Sequence, residues 1–135
     1  MIAMKRARLW LCLPPAVMGL FDYALTMWFQ DPAYWAGDYK KALEANPLFS
    51  RLMEIHPLLF FGAGALVWTL FFGWLLLNLP RLAARCVCLC LTIGHTWGAS
   101  SWLTMRVEDY YWVNIALSIF CGVLLTLSLE AAGER

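Results

Sequence analysis

Two ionisable side chains lie inside apolar runs. Asp22 interrupts "GLFDYALTMWF" (residues 19–29), and His95 interrupts "CVCLCLTIGHTWGASSWL" (residues 86–103). A carboxylate and an imidazole about 3 Å apart can exchange a proton. Each is costly alone in hydrocarbon: a carboxylate near a bilayer centre costs roughly 2.5–3.5 kcal/mol on insertion scales, so it faces a bundle interior or a wet cavity and takes a partner. Thr26 follows Asp22 by one helical turn, and Gly19 precedes it by three residues. Asp22 therefore reads as the centre of a proton, ion or small-ligand site, or as a neutral group bonding one helix to another. Cys88, Thr92, His95, Ala99 and Trp102 form one heptad-like stripe. For His95, hydrogen bonding between helices is favoured over a proton relay. Neither H-E-x-x-H nor a second histidine at ligand spacing accompanies it, so no metal is expected.

Further polar positions come at related depths. Asn114, Ser118, Cys121, Leu125 and Ser128 make a stripe in the last apolar run, read chiefly as close helix packing. Asn114 stands out because its depth matches that of Asp22. Glu44 and Asn46 precede the second run; if their segment folds back over the bundle mouth, Glu44 meets Asp22, His95 and Asn114 from above. The buried polar cluster expected is thus Asp22, Thr26, His95 and Asn114, with Glu44 and Asn46 at its outer mouth. The five cysteines contain no C-x-x-C and lie in or beside apolar runs. They read as small apolar residues, without a disulfide framework. Cys86 and Cys90 share a helix face that Cys88 does not. Cys86 follows Arg85, where acylation is one option and an inert role the favoured one.

The elements that hold these residues follow from composition. Of 135 residues 62% are hydrophobic and 14% charged, with a mean hydropathy of +0.65. Soluble domains run nearer 45–50% and 25%, so lipid is the expected solvent. The net charge of +1 and the lack of a basic cluster point away from nucleic acid. Roughly 20 apolar residues cross the hydrocarbon core as a helix, and four runs qualify, at about 9–29, 58–79, 86–105 and 110–129. Pro80 helps end the second. The first has a basic start but no convincing cleavage site before Asp31-Pro32, so it reads as a retained span.

Lysine and arginine set the orientation. Lys5, Arg6, Arg8, Arg81, Arg85 and Arg135 fall on one side and hug the membrane ends. Lys40, Lys41, Arg51 and Arg106 fall on the other, diluted by acids. Both termini are expected in the cytoplasm of a bacterial-type inner membrane. Trp28, Trp35, Trp102, Tyr110, Tyr111 and Trp112 mark the outer interface. Between the first two spans, residues 30–57 exceed the usual helix-bundle connection. Asn46 as N-cap and Pro47 at the first helical position start a short helix with Leu48, Leu52 and Ile55 on an oily face, lying on the outer surface. The fold expected is all-α: one transmembrane domain over 1–135, an integral membrane four-helix bundle with a short interfacial helix between spans one and two.

With Asp22-x-x-x-Thr26 in the first span and Glu44-x-Asn46-Pro47 before the second, the chain resembles a loose group of small bacterial multi-pass membrane proteins of uncharacterised function. The resemblance implies about four helices and possible shared polar positions, and no particular activity. It covers the first half; from residue 58 onward hydropathy and Asn114 correspond. The stretch before Glu44 is longer here, and His95 has no counterpart. Small multidrug transporters also place an acid in the first span but have short loops, and quinone-linked thiol oxidoreductases need a C-x-x-C.

Three classes of function remain. The favoured one is a non-catalytic assembly or accessory subunit, associating with itself or with other membrane chains. An intramembrane proton, ion or small-ligand binding or transport site built on Asp22, His95 and Asn114 is the alternative. The third is a membrane enzyme acting on a lipid-like substrate, for which no nucleophile elbow, metal motif or phosphate loop is found. No cofactor is specified.

Overall fold

The computed structural model describes residues 7–133, apart from the Ala63 side chain, and its elements are helical throughout. The N-terminal Lys5 and Arg6 and the C-terminal Arg135, used above for orientation, lie outside the described residues. Four helices are long and apolar enough to cross a membrane: α1 (Leu9–Trp28), α4 (Pro57–Asn78), α5 (Arg81–Arg106) and α6 (Tyr110–Ala131). Between α1 and α4 come a single turn, α2 (Pro32–Trp35), a 3-10 turn at Tyr39–Lys41, and α3 (Pro47–Ile55). Only 33%, 18%, 22% and 17% of the most apolar stretch of the four long helices is buried inside the molecule. Leu20, Leu70, Trp74, Ile93, Trp97 and Leu127 are among the large apolar side chains left facing outward. Water would penalise that surface heavily, and lipid does not. The chain is a multi-pass membrane protein.

Local sequence chemistry sets the helix ends. Pro14 and Pro15 stand near the start of α1, where a missing N–H costs little. The Asn46 side chain accepts hydrogen bonds from the N–H groups of Leu48 (3.0 Å) and Phe49 (3.4 Å), and Pro47 takes the first helical position. Asp31 caps α2 by accepting from Ala33 N–H at 2.7 Å. The His56 Nδ1 accepts from Leu58 N–H at 3.1 Å and starts α4. α5 begins at Arg81, directly after Pro80, rather than at residue 86. Hydropathy marks only the apolar part of a helix, and Arg81 and Arg85 are good helix formers outside it.

α1 packs most extensively along α5, α5 in turn on α6, and α4 touches the others least. Three apolar clusters follow the bundle axis. Leu11, Leu76, Ala84, Cys88 and Ala132 form the one at the end that holds both termini. There an Arg8 Nη1 donates to the Leu79 carbonyl at 2.9 Å and closes the last turn of α4. Met18, Ala99, Leu103, Leu117 and Cys121 form a second cluster. Tyr23, Met27, Tyr34, Phe49, Met53, Phe60 and Ala65 form the third, which binds the long connection to the opposite, loop end.

In α3 the inward face is Phe49, Leu52 and Met53, while Leu48 and Ile55 are exposed. Both sides of this helix are oily, and the aromatic ring won the core position. The approach is close because Gly64 on α4 offers no side chain: a Cβ there would lie 3.0 Å from Phe49 Cε1. Gly64 belongs to a π-helical stretch, Phe60–Leu66, within α4. Trp102, expected in the interfacial belt, is instead buried, whereas Trp28, Trp35, Tyr110, Tyr111 and Trp112 are exposed as a belt requires. In α6, Leu117, Cys121 and Ser128 are buried, and Ser118 faces outward.

Candidate functional site

The α1–α5 contact is built from residues at a constant sequence offset. Thr26 and Trp102 are 76 positions apart, as are Gly19 and His95, and Asp22 and Gly98, so the two helices run parallel. The His95 ring packs over Gly19, where a Cβ would meet it at 3.4 Å, an ordinary contact. Gly98 receives the Asp22 carboxylate in return: a Cβ on Gly98 would lie 2.6 Å from Oδ1 and 2.8 Å from Oδ2, closer than real atoms come. Between the two glycines Asp22 Oδ2 meets His95 Nδ1 at 2.9 Å, each side chain 16% exposed. One hydrogen bond thus joins the carboxyl of α1 to the imidazole of α5. One turn further on, the Trp102 indole N–H donates to the Thr26 hydroxyl at 2.9 Å, and both are buried.

The pair opens into a cavity of about 630 Å³ at the loop end of the bundle, lined by Asp22, Tyr23, Glu44, His95, Trp68 and Arg106 among others. Its cover is the connection between α1 and α3, which Gln30 clasps to the end of α1. Gln30, itself buried, donates from Nε2 to the carbonyls of Thr26 (2.6 Å) and Leu43 (2.8 Å) and accepts from Leu43 N–H at 2.7 Å. The clasp fixes Leu43 against the end of α1 and places Glu44 on the cavity wall. Glu44 Oε1 accepts from Asn46 N–H at 2.7 Å. Burial pushes the Glu44 carboxyl above its ordinary range, and the Asp22 charge adds to the push against the opposing Asn46 hydrogen bond. Tyr23 is only 4% exposed, and its ring stands edge-on to His95 at 5.3 Å and to Phe49 at 5.9 Å. Its hydroxyl has no hydrogen-bond partner.

Of the residues expected to cluster, Asp22 and His95 are bonded to each other, and Thr26, Glu44 and Asn46 line the same cavity. Asn114 does not. Its Nδ2 donates to Thr104 at 2.9 Å, joining α6 to α5 away from the cavity wall, and its Oδ1 is buried without a partner. Tyr23, Gln30, Gly98 and Arg106 are the residues that sequence reasoning missed as site members. A signal existed for Gly98, which stands three positions after His95 and therefore on its face. None existed for Gln30, which looks like an ordinary end of a span. Among the described residues no group of three or more histidines, cysteines and acids is placed to hold a metal ion. Comparison with protein-family models, with curated proteins and with solved structures gives no match.

Gly98→Ala is expected to force Asp22 away from α5 and to lower stability by about 1–3 kcal/mol, as overpacking does. Gly94→Ala, where the added Cβ meets nothing within 4 Å, is expected to leave the thermal midpoint in detergent unchanged. A like effect of the two would remove the close-approach account.

Glu44 binds its proton more tightly in the folded chain than in the unfolded one, so its contribution to stability is greatest at low pH. That contribution falls as pH rises from the ordinary glutamate range through the raised value. Glu44→Gln removes the dependence. Amide exchange of the connection, followed against pH, is expected to show the wild type losing protection relative to the variant across that window; parallel curves would count against a buried carboxyl.

Proposed function

We propose that this protein is a non-catalytic membrane protein that binds the polar part of a small ligand in the cavity above Asp22 and His95. A single observation carries the reading: the Asp22–His95 pair, though buried in a helix contact, forms part of the wall of a roomy cavity and is not sealed by packing. A pair that served only to join α1 to α5 would need no such space. Asn114 has no part in it.

The distribution of polar groups favours binding over passage. On the loop side of His95 the cavity holds Glu44, Tyr23, Thr26 and Arg106. On the termini side the walls are Leu9, Pro15, Ala16, Leu76 and Leu77, which would leave an ion or proton unsolvated. Arg8, Arg81 and Arg85 near the termini end support a cytoplasmic location for that end. The cavity then faces the extracytoplasmic side of a bacterial-type inner membrane. Asp22, Thr26, Glu44 and Asn46, the positions on which the resemblance to small bacterial membrane proteins rests, all line this cavity.

In a cysteine-free background, Ser101→Cys on the cavity wall is expected to react with a membrane-impermeant maleimide added from the extracytoplasmic side. Ile93→Cys, on the exposed face of α5, is expected not to react. Failure of Ser101→Cys to react, or reaction only from the cytoplasmic side, would contradict the assignment.

Association with another membrane chain, as an accessory or self-assembling subunit, is the second reading. It is favoured by α6, where Ser118, Gly122 and Thr126 lie exposed at every fourth position. Ser118 and Thr126 donate to backbone carbonyls of their own helix, at 2.8 and 2.9 Å. Small, self-satisfied faces of this spacing let transmembrane helices pack closely. Gly122→Leu is expected to shift the detergent-solubilised protein to a smaller species in light scattering; an unchanged mass would argue against an α6 interface.

A further inference from the structure

A second cavity, of about 400 Å³, lies between α1, α4 and α5 on the termini side of the first. Cys12, Ala16, Leu70, Gly73 and Leu77 are among its walls, and Trp68, Leu91 and His95 line both cavities. The two therefore meet across one boundary, polar on the loop side and apolar on the other. The stretch from Leu9 to Ala16 runs about 10 Å along α1, room for a length of alkyl chain. The gap persists because α4 stands off the rest of the bundle.

Charge on the loop side has an order. Arg106 ends α5 at the exposed rim. Within, Glu44 has one carboxylate oxygen bonded to Asn46 N–H, and among the described residues no basic side chain bridges it. The Tyr23 hydroxyl, buried and unpartnered, has Asp22 and Glu44 as the charges that act on it. Asp22 keeps one oxygen beyond the one that meets His95. Glu44 and Asp22 thus each offer a carboxyl oxygen, beside a Tyr23 hydroxyl that can donate or accept, and Phe49, Trp68 and Trp102 line the same cavity. An ammonium group suits these partners, since it has three N–H donors and no acceptor and is attracted to aromatic faces.

We propose that the two cavities hold one amphiphile, a zwitterionic phospholipid whose head carries a primary ammonium. The ammonium lies among Tyr23, Glu44 and Asp22, the phosphate lies toward Arg106, and one alkyl chain lies in the apolar cavity. The proposal rests on the reading of the first cavity as a ligand site and adds the class of ligand. A quaternary ammonium has no N–H to give these acceptors, and an anionic head meets two acids.

The test uses the whole protein in mild detergent, presented with equal amounts of phosphatidylethanolamine, phosphatidylcholine and phosphatidylglycerol of matched chains and read by native mass spectrometry. Phosphatidylethanolamine is expected to be retained about fivefold over the others, the worth of one good hydrogen bond. Glu44→Gln should lower that preference to the level of phosphatidylcholine. Gly73→Trp, filling the apolar cavity, should reduce retention of all three lipids, and Leu77→Trp serves if the first variant does not fold. Equal retention of the three lipids, or a preference that survives Glu44→Gln, overturns the head assignment while leaving the cavity a ligand site. No retention by the wild type overturns the proposal outright, and maleimide access at Ser101→Cys then decides separately on the cavity.

Discussion

A carboxylate cannot stay unpaired among acyl chains, and the contact of Asp22 with His95 at 2.9 Å is how this fold meets that constraint. The contact demands that the Asp22 carboxyl come closer to the α5 backbone than a side chain there would permit, and Gly98 makes the approach possible. Once those two helices are locked in parallel, α6 completes the second cluster on α5. α4 is left to span the remaining side with little to hold it. It is attached chiefly at its ends, by Leu76 in the first cluster and the Arg8 bond to the Leu79 carbonyl at one, and by Phe60, Ala65 and the Phe49–Gly64 contact at the other. The space along its middle is a consequence, and both cavities lie there.

The connection between α1 and α4 belongs to the same arrangement. It is held down by the third apolar cluster and by two directional bonds, Gln30 to Leu43 and Tyr34 to the Met53 carbonyl at 3.2 Å. Such bonds are individually modest in water, yet leaving their buried partners unmet is costly. Glu44 is therefore delivered to its place by neighbours, with its own carboxyl held against the preference of burial. A residue held in an unfavourable setting by the rest of a fold is more informative about use than one that merely fits.

What the sequence made legible follows from which constraints are local. The four spans were readable because lipid demands long apolar runs, and α3 was readable because Asn46-Pro47 carries its own start signal. That Asp22 and His95 each needed a partner was equally plain. Their pairing was not, because the choice of neighbouring helix and its rotation is tertiary information absent from either run. Trp102 illustrates the same limit. An aromatic near a span end suits an interface as well as a core, and only the Thr26 hydroxyl opposite decides. Asn114 matched Asp22 in depth but not in direction, and depth was all that the spacing could supply. The inward face of α3 eluded pattern reading because Phe49 and Met53 compete with Leu48 and Ile55, and the vacant side of Gly64 settled the contest.

The parallel pairing of the first and third spans also bears on how the chain is made. Asp22 leaves the ribosome 73 residues ahead of His95, which at ordinary elongation rates is roughly 4–15 s. Throughout that interval His95 is missing, and the one imidazole that arrives, His56, caps the start of α4 by accepting from Leu58 N–H. The nascent protein thus passes through a stage in which the helix that carries Asp22 must wait for its partner, sheltered by the insertion machinery. Biogenesis, and not the finished bundle, is where this carboxylate is most exposed to failure.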